Sequence, residues 1–438
     1  MLLRAVTGGE SENYVMWRPA SSPHQRLYLL LFAILLSSQR AAANEPLQIN
    51  LAEAVQRTLA TNPALNVLGY DIRAQQGARI QAGLKPNPEL GLVVENALGS
   101  GDLNGFDGAE TTLSLGWVLE RGKREARVAK ADASVSLLET QRHVLRRDMA
   151  AETARRYLDS LAIQAQKAQA LDSVSVAADT VAQIAERVKA GQAPTADLAR
   201  ARAELARTQL RLEDFEHEQE VANHRLAAQW GERKPDFTSV AGDVLQLPRS
   251  AAYAELLDSI RDNPDIKQYA TVARLRDAEL SQAQAQARPD WQLNLGVRHL
   301  ELVGEQALVA GITVPLPLRN QNQGQIAMAR ANRQRVDADR TQVELGIETQ
   351  LFATHQALQH ALHVTRTLST EVLPLTESAL HDTQRAYRAG RYTYFQLQQV
   401  QQEVLDARLA QVEAAISAHR HAIEIERLTG TVLTQGAL

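Results

Sequence analysis

At 438 residues the chain is long enough for two or three ordinary domains, and it contains no cysteine. Disulfides, thiolate metal sites and cysteine nucleophiles are therefore excluded together. The formal charge of −4 gives the chain as a whole no electrostatic footprint for a nucleic acid, and 45% hydrophobic residues with only 4% aromatics suit long, alanine- and leucine-rich helices packed along narrow seams.

In chain order, residues 1–43 read as a secretory signal peptide. The apolar run Leu27–Leu36 follows Arg18 and Arg26 and ends at Ala41-Ala42-Ala43, a small-x-small cleavage pattern. The run is too short to span a bilayer as a helix, and no later stretch is apolar enough to do so. Met16 gives a leader of more usual length than Met1.

Beyond the leader, one pattern is written twice with an offset of about two hundred residues. The first repeat covers residues 44–250 and the second 251–438. Leu51-Ala52-Glu53-Ala54-Val55 leads to Asn62-Pro63, and Tyr253-Ala254-Glu255-Leu256-Leu257 leads to Asn263-Pro264. Each segment opens a helix of roughly thirty residues, closed before Pro86 or Pro289 by the pre-proline restriction.

A pair of strands follows in each repeat, at about 89–96 and 111–119, then at about 291–299 and 307–316. Apolar residues alternate with polar ones: Leu90, Leu92 and Val94, then Leu113, Leu115 and Trp117, and later Trp291, Leu293, Leu295 and Val297. Period two over nine or so residues fits a bilayer-spanning strand, and equally a soluble hairpin with one wet face. The intervening stretch Gly99–Glu110 offers oxygen ligands at Asp102, Asn104, Asp107 and Glu110. It lacks the spacing of a helix–loop–helix calcium site and reads as a connector.

Strongly helical composition then runs over 122–190 and 321–389, which predicts two unbroken rods of roughly 100 Å each. Val336, Val343, Ile347, Leu351, Leu358 and Leu362 recur at seam spacing. Each rod stops at a glycine, Gly191 or Gly390, and the chain returns as a second long helix over 195–229 or 393–428. Four strands cannot close a barrel, and an open sheet edge in lipid is costly, so in a membrane the strands require further copies.

The signal peptide, the two halves and the paired Asn-Pro steps resemble the TolC-like outer-membrane efflux proteins over residues 46–430. Glu120-Arg121-Gly122-Lys123-Arg124 with Arg127 and Ala131, and the stretch Pro315–Gly324, resemble the heavy-metal (cobalt–zinc–cadmium) branch. The resemblance implies a mainly α fold with a small β part. A homotrimer would form a 12-stranded outer-membrane β-barrel on a long periplasmic helical barrel. It implies the outer-membrane channel of a tripartite pump as the function, with outer-membrane lipid, a periplasmic adaptor (membrane fusion protein) and an inner-membrane RND-type transporter as partners, and no cofactor. It also places Gly231–Ser250 and the residues after Leu428 in a mid-tunnel belt.

The resemblance further implies a periplasmic gate near the two turns. Asp197 falls where an acidic tether sits, Tyr387 matches a tyrosine partner, and Arg391 lies one residue past Gly390. Gln396 and Gln399 occupy two positions that are acidic in the family pattern, which weakens any selection of cations by charge there. By the residues alone, Asp197 equally suits a helix N-terminal turn. The cluster Tyr392, Tyr394 and Phe395 suits tip packing or adaptor docking. His355, His360, His363, His419 and His421 read as surface or packing residues, because no carboxylate cluster accompanies them. No catalytic constellation is present in the sequence, so the chain reads as no enzyme. A drug or protein exporter is the alternative conduit, and a soluble periplasmic coiled-coil scaffold the alternative of another class.

Overall fold

The computed structural model describes residues 48–432 and 434, so the leader reading for residues 1–43 lies outside the described residues. The elements in order are β1 (Gln48–Ile49), α1 (Leu51–Thr61), α2 (Pro63–Ala82), β2 (Glu89–Glu95), β3 (Glu110–Leu119), α3 (Lys123–Lys189) and α4 (Thr195–Ala227), and then β4 (Ser239–Val240), α5 (Tyr253–Ser259), α6 (Pro264–Gln286), β5 (Trp291–Leu300), β6 (Glu305–Thr313), α7 (Gln323–Thr367), a π-turn (Leu368–Val372), α8 (Leu373–Arg388) and α9 (Tyr394–Thr429). None of the described helices is long and apolar enough to cross a membrane.

Three local expectations need correction. The opening segment of each half is not one helix of thirty residues. The residue before proline is barred from the α region, and Asn62 (φ −54°, ψ 127°) and Asn263 (φ −60°, ψ 125°) turn the chain there. Each asparagine caps the helix that follows: Asn62 Oδ1 accepts from Ala64 N at 2.9 Å, and Asn263 Oδ1 from Asp265 N at 2.7 Å.

The second rod is also not continuous. Pro374 has no N–H to donate to the carbonyl four residues back, and the chain widens into the π-turn just before it. Hydroxyls cover nearby carbonyls: Ser369 and Thr370 donate to Arg366 O at 2.8 and 2.9 Å, and Thr376 to Val372 O at 3.1 Å. By contrast α3 runs unbroken for 67 residues. Thirdly, β6 starts at Glu305 and ends at Thr313, because Pro315 cannot continue the ladder. The second hairpin loop therefore narrows to Glu301–Gly304, with Gly304 N bonded to Leu300 O at 2.9 Å.

The four long strands form one antiparallel sheet in the order β2-β3-β5-β6. Register sorts the side chains by face, since neighbours across the ladder share a side. Leu90, Leu115, Leu295 and Ala310 form one cross-strand row, and Leu92, Leu113, Val297 and Leu308 the next. The opposite face carries Gly91, Ser114, Gly296 and Val309, then Val93, Thr112, Arg298 and Ala307. Gly296 is required by packing: a Cβ there would stand 2.7 Å from Leu113 O. Gly99–Glu110 spans the gap from β2 to β3 and folds on its own backbone, with Leu98 N on Gly105 O at 2.6 Å.

Burial concentrates away from the sheet. One cluster joins Tyr157, Leu158, Leu226, Trp230, Phe237, Val240, Val412 and Ile423, and a second joins Leu256, Ile266, Leu351, Leu358, Ile425 and Leu428. A small third cluster at the far helix ends holds Ile184, Ala201, Tyr387, Tyr394 and Leu397. The two-residue strand β1 pairs in parallel with β4, so the crossing segment between the halves is stitched back to the start of the fold.

Candidate functional site

The two helix turns at the far end are built alike. Gly191 (φ 69°) and Gly390 (φ 72°) take the left-handed conformation that L side chains resist. Gln192 N bonds to Arg187 O at 2.8 Å, and Arg391 N to Ala386 O at 2.9 Å, the back-reaching bond that ends a helix on such a glycine. Thr393 and Gln396 then start α9 with reciprocal side-chain-to-backbone bonds.

Tyr387 is the buried centre of this end, only 4% exposed. The guanidinium of Arg187, from the last turn of α3, stacks 4.6 Å from its ring centre and donates to its backbone oxygen at 2.5 Å. The Tyr387 hydroxyl has no hydrogen-bond partner among the described residues. Burial raises its pKa above the ordinary phenol value; the Arg187 charge opposes that rise and the Asp197 charge adds to it. The structure thus joins Tyr387 and Arg187 across the two halves, with the Asp197 charge felt at the tyrosine.

It does not gather the other three expected residues. Arg391, Gln396 and Gln399 are exposed on the protomer. Gln396 is spent on the cap of α9, and Gln399 Nε2 donates to Glu403 at 3.2 Å. Of the aromatic cluster, Tyr394 is buried while Tyr392 and Phe395 are exposed. Arg187 was missed by sequence reasoning, because a cation in a last helical turn needs no explanation beyond the helix dipole.

A second polar feature lies on the wet face of the sheet. Arg298 of β5 forks to Glu95 at 2.8 Å and Glu110 at 2.6 Å, and its Nε donates to Thr112 at 2.9 Å. The cluster spans β2, β3 and β5 near the hairpin ends. Sequence alternation placed Arg298 on the polar face, yet its partners lie 188 and 203 residues away in the chain.

The histidines separate into two kinds. His360 and His363 are exposed. His355 and His419 are buried, and each faces a carbonyl of the crossing segment: His355 Nε2 to Ala251 O at 3.2 Å, His419 Nε2 to Val244 O at 3.0 Å. Tyr157 pins the same region, its hydroxyl 2.5 Å from Ala241 O, and burial pushes its pKa up to about 12. No group of three or more His, Asp or Glu side chains among the described residues is arranged to hold a metal ion.

Residues 54–232 match the family described as outer membrane efflux protein. The cobalt-zinc-cadmium resistance protein CzcC of Cupriavidus metallidurans is 24% identical over 383 residues, covering 87% of this chain and 90% of that one. The chain is thus similar to the TolC-like outer-membrane efflux proteins. The nickel-cobalt-cadmium resistance protein NccC of Alcaligenes xylosoxydans xylosoxydans is 24% identical over 298 residues, 68% of this chain and 66% of its own. The solved outer membrane protein VceC of Vibrio cholerae shares the fold, with a TM-score of 0.69 at 20% identity over 87% of this chain and 96% of that one. In an outer-membrane efflux protein the sheet lies in the outer membrane and the long helices extend into the periplasm.

Proposed function

We propose that the chain is the outer-membrane channel of a tripartite efflux pump, working as a homotrimer with a periplasmic adaptor and an inner-membrane RND-type transporter. The observation that carries this reading is the sheet. Its two outer strands, β2 and β6, have free edges, one face is apolar and the other polar. An unpaired edge in lipid leaves backbone groups unsatisfied at several kcal/mol each. Pairing β2 of one copy with β6 of the next removes every edge, and three copies close a barrel of twelve strands.

Each copy contributes two repeat units, 44–250 and 251–438. The gate is the contact of Arg187 with Tyr387, which ties the first half's turn to the second, with the Asp197 charge acting on the same tyrosine. Arg391, Gln396 and Gln399 belong to the outer surface of the tip, where copies or the adaptor meet. Conduction is passive through a wet pore, with no bond made or broken, so the chain is no enzyme.

Heavy-metal cations are the proposed cargo, since both curated relatives carry metal resistance in their names. Amides at Gln396 and Gln399 form no charged ring, so selection of that cargo rests with the pump partners. A deletion strain sensitive to zinc, cobalt or cadmium and not to dyes or antibiotics supports metal cargo; the reverse pattern assigns the duct to drug or protein export. Membrane fractionation with particle mass and single-channel conductance tests the channel itself. A water-soluble monomer without conductance replaces it with a periplasmic coiled-coil scaffold.

A further inference from the structure

The helix-side end of the sheet carries an ordered series of side chains that conduction does not use. On the apolar face, Leu119 opposes Trp291 and Trp117 opposes Leu293, so both indoles stand in the last rows before the helices. They are 37% and 40% exposed. Beyond β6 the strap Pro315–Leu318 leaves this face, and Leu316, Leu318 and Arg319 line a pocket with Val118, Asp290 and Gln292. One step further out from the indoles comes a cation. Arg121, two residues past β3, places its guanidinium 5.4 Å from the Trp291 ring centre, which fixes it on the lipid-facing side.

Three of the charges beside Arg121 in the chain are already committed. Glu120 is bound by Arg127, Lys123 pairs with Asp290 at 2.7 Å, and Arg124 reaches Glu125 at 3.4 Å. Among the described residues Arg121 forms no ion pair with a carboxylate. The adjacent N-terminus of α3 has no side-chain cap, so the positive end of a 67-residue helix opens beside Arg121. The opposite end of the sheet has the reverse character. Glu95 and Glu110 oppose each other there, Leu300 opposes Glu305, and Glu301 follows in the turn.

We propose that Arg121, braced on Trp291, is a docking point for anionic glycerophospholipids of the periplasmic leaflet, binding the headgroup phosphate while the acyl chains lie against Trp117 and Leu119. The argument is charge complementarity at the depth where apolar surface gives way to indole and then to unpaired guanidinium. A guanidinium suits the task better than an ammonium because its fork matches phosphate oxygens. The proposal rests on the outer-membrane reading.

The test is native mass spectrometry of the full-length protein reconstituted in nanodiscs of phosphatidylcholine mixed with phosphatidylglycerol. The wild type is expected to retain phosphatidylglycerol in preference. Arg121→Gln reduces that enrichment by about fivefold, the effect of one surface cation on an anionic lipid, while particle mass is unchanged. Arg121→Lys retains most of it. Equal retention of both lipids by the wild type, or undiminished enrichment in the Arg121→Gln variant, overturns the proposal. So does complete displacement of the lipid by inorganic phosphate, which would identify a site for soluble anions. A protein recovered in the aqueous fraction overturns the membrane reading along with it, whereas a membrane-embedded channel without lipid preference overturns this proposal alone.

Discussion

The side-chain nitrogen of Asn263 donates to the backbone oxygen of Leu428 at 2.7 Å, and in the first half Asn62 makes the same bond to Gln229 at 2.7 Å. Each asparagine therefore has two tasks. Its oxygen caps the helix that starts at the next residue, and its amide ties that helix to the end of the long helix closing the same half. The duplicated Asn-Pro step is thus a brace, which explains why two polar residues sit almost fully buried.

Replacing Asn263 by alanine removes the cap and leaves a buried carbonyl unpaired, at a cost of about 1–3 kcal/mol. Thermal unfolding of the detergent-purified protein should show a lowered midpoint. Asn263→Asp keeps the capping oxygen but cannot donate to Leu428, so it should recover only part of the loss. A variant as stable as the parent would remove the brace from the account.

At the tip, the Arg187 contact predicts a functional asymmetry among neighbouring arginines. Arg187→Ala loses both the stack on Tyr387 and the bond to its carbonyl, and single-channel conductance should rise several-fold as the closed state is weakened. Exchanging Asp197 and Tyr387 together should act in the same direction. Arg391→Ala should leave conductance unchanged, because that side chain is exposed and the residue's recorded bond is through its backbone. Equal effects from Arg187 and Arg391 would place the tether elsewhere.

How much of this was legible beforehand differs between levels. Strand positions, long helices and glycine turns follow from periodicity and from local chemistry, and Leu90, Leu115 and Leu295 share a face just as alternation requires. At the tip the resemblance named Asp197 and Tyr387 but not Arg187, whose partner lies 200 residues away. Pro374 was in plain view and was passed over inside a helical composition. The π-turn it accompanies has no compositional signature of its own. Likewise, nothing local marks His419 as the residue that meets Val244 O, because burial is set by the fold and not by its neighbours in the chain.

The interrupted rod makes a dynamic prediction. Pro374 donates no backbone bond, the π-turn Leu368–Val372 buries no side chain, and between Leu373 and Thr383 no side chain of α8 is buried in the protomer. Amide exchange measured on the intact protein should be about tenfold faster at 369–374 than in the middle of the unbroken α3. Pro374→Ala restores a donor and should slow exchange there. Matched protection in the two rods would show that the π-turn is as rigid as ordinary helix.

His419 predicts a pH response with a defined sign. Burial lowers its pKa below the ordinary imidazole value, against weaker opposing contributions from Val244 O and Asp243, so the folded protein holds it neutral. The unfolded chain then binds more protons than the folded one below about pH 6.5, and stability is lost on acidification through that range. His421 is lowered too, by burial and by Arg420, and contributes in the same direction. Glu424 is different: Arg427 and Arg155 outweigh its burial and lower its pKa, so its contribution is lost only at more acidic pH, below about 4.5. Unfolding midpoints between pH 7.5 and 5.5 should therefore fall in the parent and fall less in a His419→Gln variant. Parallel curves would show that this imidazole is not the sensor.

The Arg298 cluster predicts how the outer part of the pore treats charge. Arg298 is the cation that Glu95 and Glu110 share, and it projects from the polar face of β5. Arg298→Ala leaves two carboxylates without their partner on each copy, and like charges facing a pore attract cations and repel anions. Under a potassium chloride gradient the reversal potential should move toward the potassium value, and the shift should shrink as salt rises, because exposed charges are screened within a Debye length. Arg298→Lys keeps the charge but loses the fork, so it should hold selectivity near the parent while loosening the hairpin ends. An alanine variant with unaltered selectivity would mean that this cluster lies away from the ion path, and the assignment of the polar face to the lumen would fall with it.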